Sequence, residues 1–157
     1  MTPEELKELT LEHRWNFYSC ASRCLIKLAE MHGKPISNDD FRAKFGHLFP
    51  PLQEGLTNTA EQIEIAKGLG LCNSALALRD QRKVKDLMTK KQQRGVLVLT
   101  DRHPHDNNAD LFHCRLLCGG DDTNVKLFSP FQDGTAPILP DTWANLEKQL
   151  VHFIVLV

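Results

Sequence analysis

The sequence predicts an α+β fold, with helices in the first half of the chain and an antiparallel sheet in the second. Between Ala21 and Ala29, apolar residues recur at three- and four-residue spacing, which is typical of a helix packed on one face. After Gly70, short apolar runs alternate with turn-rich stretches, which is typical of strands. Because the helices mostly precede the strands, the two kinds of element are expected to form separate layers.

Capping residues and helix-breaking glycines and prolines delimit four helices in the first half. Thr2-Pro3-Glu4-Glu5 combines a capping residue, a proline at the first helical position and an acidic first turn. Ser37 opens another helix by the same logic, and Gly33 closes the one before it. The predicted helices cover residues 2–12, 20–32, 37–45 and 55–68.

Apolar runs in the second half predict strands, with two short helices between them. Strands are predicted over 74–78, 96–99, 112–117, 125–128 and 151–156, and helices over 83–88 and 141–147. Gly119-Gly120-Asp121-Asp122 is a typical connection for a hairpin between the third and fourth of these strands.

Composition and charge favour a single domain over residues 1–157 and argue against several classes of protein. Hydrophobic residues make up 41% and charged residues 25%, as in ordinary globular domains. With 19 Lys and Arg against 20 Asp and Glu, the net charge is −1, so nucleic acid is not an expected partner. The apolar runs are too short for membrane insertion, and residues 1–5 lack a signal-peptide pattern. A cytoplasmic location is expected, with delivery out of the cell by a signal-less route left open.

The five cysteines favour a reducing compartment, because an odd number argues against a fully paired disulfide framework. Cys20 with Cys24 and Cys114 with Cys118 form two pairs at a spacing of four, which raises a four-thiolate zinc site as an alternative. Residues four apart on a strand lie about 13 Å from each other, too far to bind one ion. We therefore expect no metal or other cofactor and interpret the cysteines other than Cys20, including Cys72, as packing residues.

Cys20 is the candidate nucleophile because it lies where a helix is predicted to begin. Unpaired backbone amides at a helix start favour an anion and would stabilise a thiolate. A cysteine in a helix is more often a small buried hydrophobic residue, so position alone does not decide its role. A catalytic role requires a histidine that takes the thiol proton.

Several features in a fixed order resemble the papain-like peptidase family that processes bacteriocin leaders. Cys20 begins a helix that a glycine closes, and a glycine-led helix over 55–70 ends in Gly-Leu. His113 opens an apolar strand, and the next strand runs into Ser129-Pro130, followed by a glycine. The resemblance covers most of the chain and implies a papain-like fold, with a helical N-terminal lobe packed on a C-terminal antiparallel sheet.

The resemblance also implies the chemistry of the site. His113 would take the proton of Cys20, and the thiolate would attack an amide carbonyl of a peptide or protein substrate. The third catalytic residue of the family is an aspartate before the proline, where this chain has Ser129. A serine accepts a hydrogen bond but brings no charge, so Asp133 is the alternative support for His113.

The oxyanion stabiliser also departs from the family pattern. Papain-like enzymes typically carry a glutamine six residues before the cysteine, and Arg14 occupies that position here. Asn16 is the nearest side-chain amide, so Asn16 is the predicted oxyanion donor.

Other functions remain open at this point. Proteolysis, glutamine deamidation and transamidation share the cysteine–histidine pair, and a free-standing domain of this size could act as an effector that modifies a target protein. His103 and His105 are rival bases or metal ligands, although the strand start at His113 holds a ring more rigidly than their loop would. Loss of the acid also fits a catalytically degenerate domain of the same fold that binds a peptide or cargo. A zinc-stabilised interaction module is a third alternative, and the oligomeric state is not predicted.

Overall fold

The computed structural model describes residues 20–48, 59–100, 113–131, 134–149 and 151–157. Within these ranges the helices are α1 (Cys20–Met31), α2 (Asn38–Phe45), α3 (Thr59–Gly68), α4 (Gln81–Thr89) and α5 (Trp143–Lys148), with a 3-10 turn at Gly46–Leu48. The strands are β1 (Ala75–Leu78), β2 (Gly95–Thr100), β3 (His113–Gly120), β4 (Asn124–Phe128), β5 (Ile138–Thr142) and β6 (His152–Leu156). None of the described helices is both long and apolar enough to cross a membrane. The helix predicted over 2–12 and the start of the one over 55–68 lie outside the described residues.

The described strands form one antiparallel sheet in the order β1-β6-β2-β3-β4-β5. The centre of the sheet is fixed by pairs of apolar residues, such as Leu97 of β2 with Leu116 of β3 and with Ile154 of β6. β6 lies between β1 and β2 in the sheet and pairs with both, although β2 and β6 come from distant parts of the chain.

Alternate side chains of the central strands pack into two separate cores. In β2, Leu97 and Leu99 join a core with residues of α1, α2 and α3, whereas Val96 and Val98 face residues of α4 and α5. The three helices of the first half therefore cover one face of the sheet, and the two short helices cover the other. The predicted α+β class is confirmed, with a third layer formed by the short helices.

β5 is a strand that the sequence pattern does not predict. Among the described strands it pairs with β4 alone, and it contains Pro140, a residue that lacks a backbone N–H and is tolerated on edge strands. The helix predicted over 141–147 is wrong at its start, because Asp141 and Thr142 complete β5. The Thr142 hydroxyl then caps α5 by accepting the Asn145 N–H at 3.1 Å.

The predicted hairpin between β3 and β4 is present, but its turn lies later than its glycines. Gly119 and Gly120 belong to β3, with a register shift in the pairing between Leu117 and Gly119. The Asp121 carboxylate accepts the backbone N–H groups of the next residues, including Asn124 at 2.7 Å. These bonds lower the pKa of Asp121.

Close packing holds α1 on the sheet. Gly33 ends α1 with a φ of +70°, a conformation that glycine adopts without strain. At Gly95, the first residue of β2, a Cβ atom would collide with the Leu28 side chain of α1. The absence of a side chain at Gly95 therefore lets α1 approach the sheet, which fixes the helix that carries Cys20.

Candidate functional site

Cys20 is the first residue of α1, and its half-buried thiol lies against the start of β3. Backbone groups of Cys114 and Ala21 interact with this thiol. Since Cys114 directly follows His113 in β3, the start of the helix and the start of the strand meet at this point. The fold thus brings the candidate nucleophile next to the strand residue that follows the candidate base.

The surroundings of Cys20 favour the protonated form of its thiol. Burial, with a further contribution from Cys114, raises its pKa to about 12, while backbone hydrogen bonds and the charge of Arg23 act in the opposite direction. A thiol with so high a pKa is almost wholly protonated at pH 7. Burial therefore outweighs the backbone hydrogen bonds at the helix start, and a thiolate at Cys20 would require a base that removes the proton.

His113 and Ser129 are joined by a buried hydrogen bond. The Nε2 atom of His113 lies 3.2 Å from the Oγ atom of Ser129, and each residue is 1% exposed. His113 pairs with Thr100 of β2, whose hydroxyl donates to the His113 carbonyl at 3.4 Å. Ser129 follows the end of β4, and its N–H donates to the Pro137 carbonyl at 2.9 Å. A hydroxyl therefore lies beside the histidine, where the resemblance to the papain-like peptidase family predicts a carboxylate.

The remaining candidates from the sequence fall outside the described residues. These are Asp133 as the alternative acid, Asn16 as the oxyanion donor, and the rival bases His103 and His105. The roles assigned to them stay predictions.

The cysteines other than Cys20 lie in packed surroundings. The Cys24 thiol donates to the Cys114 carbonyl at 3.5 Å, and burial together with contact with Cys114 raises the pKa of Cys24 well above its usual value. Burial also raises the pKa of Cys72 and of Cys118. Among the described side chains, no three His, Cys, Asp or Glu residues are grouped so that they could hold a metal ion.

Arg23 is a residue of the site that the sequence pattern does not single out. The pattern places it on the polar face of α1, away from the core, but its guanidinium donates to the carbonyls of Phe131 at 3.0 Å and Gly134 at 2.7 Å. Both carbonyls belong to the connection that follows Ser129. The only local signal for this role is a basic residue one helical turn after the candidate nucleophile.

The fold is shared with a peptidase domain of known structure. No family model and no curated protein matches the sequence. Among solved structures, the peptidase domain of Streptococcus ComA, described as a bi-functional ABC transporter involved in a quorum-sensing pathway, is similar with a TM-score of 0.61. The two sequences are 13% identical over 88% of this chain and 91% of that one. At this identity the similarity shows a shared fold and nothing further.

Proposed function

We propose that the protein is a cysteine-dependent hydrolase that acts on an amide of a peptide or protein substrate. In this proposal Cys20 is the nucleophile, His113 is the base, and Ser129 orients the histidine ring. The observation that carries it is the buried 3.2 Å contact between His113 and Ser129 beside the start of α1. The fold shared with the ComA peptidase domain supports the reaction class.

The contact with Ser129 decides which nitrogen of His113 would act as the base. When Nε2 carries the hydrogen and donates it to the Ser129 Oγ, Nδ1 is the basic nitrogen of the ring. Nδ1 would take the Cys20 proton while the sulfur attacks the amide carbonyl, and the ring would then pass that proton to the leaving amine. The resulting thioester on Cys20 would be hydrolysed by water.

The electrostatics favour proton transfer during the attack over a preformed thiolate–imidazolium pair. The raised pKa of Cys20 disfavours the thiolate, and the Ser129 hydroxyl brings no negative charge to stabilise an imidazolium. Asp133 remains the proposed second source of that charge. Backbone amides at the start of α1 and the side chain of Asn16 are the proposed donors to the oxyanion.

Proteolysis is the reaction we favour, because the structural neighbour is a peptidase domain. Deamidation and transamidation would use the same first step and differ in the group that is released or in the nucleophile that resolves the thioester. All three need a cleft that admits a peptide or protein side chain, so the proposed partner is a protein or peptide.

Competitive labelling of the thiols tests the proposal. We expect limiting iodoacetamide at neutral pH, followed by mass spectrometry, to modify Cys20 faster than Cys118. Cys118 is a matched comparator within the same molecule, because it is also half-buried and its pKa is also raised. His113→Ala should remove the advantage of Cys20 and leave the labelling of Cys118 unchanged.

A catalytically degenerate peptide-binding domain is the second candidate. Two observations favour it: the neutral residue beside His113 and the raised pKa of Cys20. Equally slow labelling of Cys20 and Cys118 in the wild-type protein would support this candidate and contradict the hydrolase proposal.

A further inference from the structure

We propose that Arg23 is a positioning residue, whose guanidinium ties the connection after β4 to α1 and thereby sets Cys20 relative to His113 and Ser129. This inference rests on the proposed function of the site. We call residues 129–131 and 134–137 the corner loop. Arg23 belongs to the helix of the nucleophile and contacts the corner loop, so its proposed role is to hold the two in position.

The corner loop is braced by its own backbone. At its base the Ser129 N–H donates to the Pro137 carbonyl at 2.9 Å, and further out the Phe131 N–H donates to the Thr135 carbonyl at 2.7 Å. The Gly134 N–H donates back to the Phe131 carbonyl at 3.1 Å, with a φ of +91° at Gly134. Because these bonds connect the two sides of the loop, a displacement of Phe131 or Gly134 is expected to displace Ser129 as well.

Arg23 joins this unit to the helix with a fork of two bonds. Its Nη1 and Nη2 atoms donate to the carbonyls of Phe131 and Gly134, at 3.0 Å and 2.7 Å. The helix end of the fork is fixed, because the neighbouring Cys24 and Leu25 of α1 are wholly buried in the core. A planar guanidinium can donate to two carbonyls at once, whereas a lysine ammonium is a single point charge on a flexible stem.

The fork closes a continuous path between the two halves of the proposed site. From Cys20 the path runs one turn along α1 to Arg23, across to the corner loop, back to Ser129 and on to His113. Without the fork, α1 would still be joined to β3 by the hydrogen bond from Cys24 to the Cys114 carbonyl and by packing, but its described hydrogen bonds to the corner loop would be lost. Catalytic groups need their positions fixed closely, since a displacement of about 1 Å costs about 100-fold in rate.

Lys27 offers a matched control on the same helix. It lies one turn beyond Arg23, its ammonium is 5.9 Å from the centre of the Phe128 ring, and it forms an exposed ion pair with Glu30 at 3.5 Å. Within the described residues it makes no hydrogen bond to the corner loop. Lys27→Gln therefore removes a positive charge near the site without touching the fork.

The experiment compares Arg23→Gln, Arg23→Lys, Arg23→Ala and Lys27→Gln in the full chain, with two readouts. Amide hydrogen exchange over the corner loop reports whether Arg23 holds it, and the rate of Cys20 alkylation from pH 6 to 10 reports the geometry of the site. We expect Arg23→Gln to speed exchange in the loop and to slow Cys20 alkylation about 10- to 100-fold at neutral pH. Arg23→Lys should recover little of either, and Arg23→Ala should regain alkylation when guanidinium ion is added at millimolar concentration, but not with ammonium.

Four results would overturn the inference. Unchanged exchange in Arg23→Gln would show that the fork does not hold the loop, and faster exchange with unchanged alkylation would show that the loop does not position Cys20. A loss of alkylation that Arg23→Lys restores, or that Lys27→Gln reproduces, would assign the effect to charge, since the Arg23 cation also lowers the pKa of Cys20. If iodoacetamide modifies Cys20 no faster than Cys118 in the wild-type protein, the proposed function fails and this inference fails with it. The wild-type measurement therefore distinguishes failure of the proposed function from failure of the role of Arg23.

Discussion

The Nε2 atom of His113 and the Oγ atom of Ser129 lie 3.2 Å apart, at a place where each residue is only 1% exposed. A hydrogen bond in such surroundings holds the imidazole ring in one orientation. It gives the ring no negative charge. In a catalytic triad, one carboxylate both orients the histidine and supplies a negative charge. Ser129 can orient His113 but supplies no charge.

Replacing Ser129 with aspartate should restore the missing charge. A carboxylate beside Nε2 would favour the imidazolium form of His113, which in turn would stabilise a Cys20 thiolate. We expect Ser129→Asp to shift the rise of Cys20 alkylation to lower pH and to raise its rate at pH 7 about 10-fold or more. Thiol labelling across a pH series measures the change.

Ser129→Asn is the matched control for this substitution, because the amide has almost the shape of the carboxylate and no charge. It should leave the pH dependence of Cys20 alkylation as in the wild type. Identical profiles for Ser129→Asp and Ser129→Asn would mean that charge at this position does not reach Cys20.

The pH dependence of Cys20 itself tests the protonated resting state. Burial raises the pKa of Cys20 to about 12. Without His113 as a base, only the thiolate reacts, so the alkylation rate in His113→Ala should rise about tenfold per pH unit from pH 7 to 10 with no plateau. Stopped-time labelling and mass spectrometry give the slope, and a plateau below pH 9 would contradict the raised pKa.

Local sequence signals predicted the elements that their own residues determine. The spacing of apolar residues from Ala21 to Ala29 marked α1, and the run Val96–Leu99 marked the buried strand β2. β5 was missed because Pro140 weakens the strand signal, and only its pairing with β4 reveals it. The role of Arg23 was missed for a related reason. Its partners lie more than 100 positions away in the chain, so the residue pattern of α1 alone predicts only a solvated polar side chain.

Because α1 lies close to β2, we expect any side chain at Gly95 to lower the free energy of unfolding. A Cβ atom there would overlap the Leu28 side chain, so Gly95→Ala should force the buried Leu28 side chain, and α1 with it, to shift. We expect a loss of about 1–3 kcal/mol in the free energy of unfolding, measured by urea denaturation, together with slower Cys20 alkylation. Gly119→Ala is the control, because a Cβ atom at Gly119 meets no atom within 4 Å. Equal stabilities of the two variants would contradict the close approach.

Arg115 and Asp141 form an ion pair on the other side of the sheet. Because the Arg115 charge is the more deeply buried, we expect mutation of Asp141 to destabilise the protein more than mutation of Arg115. Arg115 has a side chain that is 4% exposed, and it donates to Gln149 at 2.9 Å and lies 3.6 Å from the Asp141 carboxylate. Burial lowers the pKa of Arg115, and Asp141 opposes that shift. Asp141→Asn should therefore leave a buried cation without its counter-charge and cost about 3 kcal/mol of unfolding free energy. Arg115→Met should cost less, because the Asp141 side chain is 17% exposed and also accepts the Thr142 N–H.

A double-mutant cycle separates this electrostatic effect from general damage to packing. If the cost of Asp141→Asn comes from the unpaired guanidinium, Arg115→Met in the same chain removes that charge and should recover about 1–2 kcal/mol. Urea unfolding of the four proteins gives the coupling free energy directly. Losses that simply add would mean that Asp141 stabilises the fold through its hydrogen bonds to the start of α5 and not through Arg115.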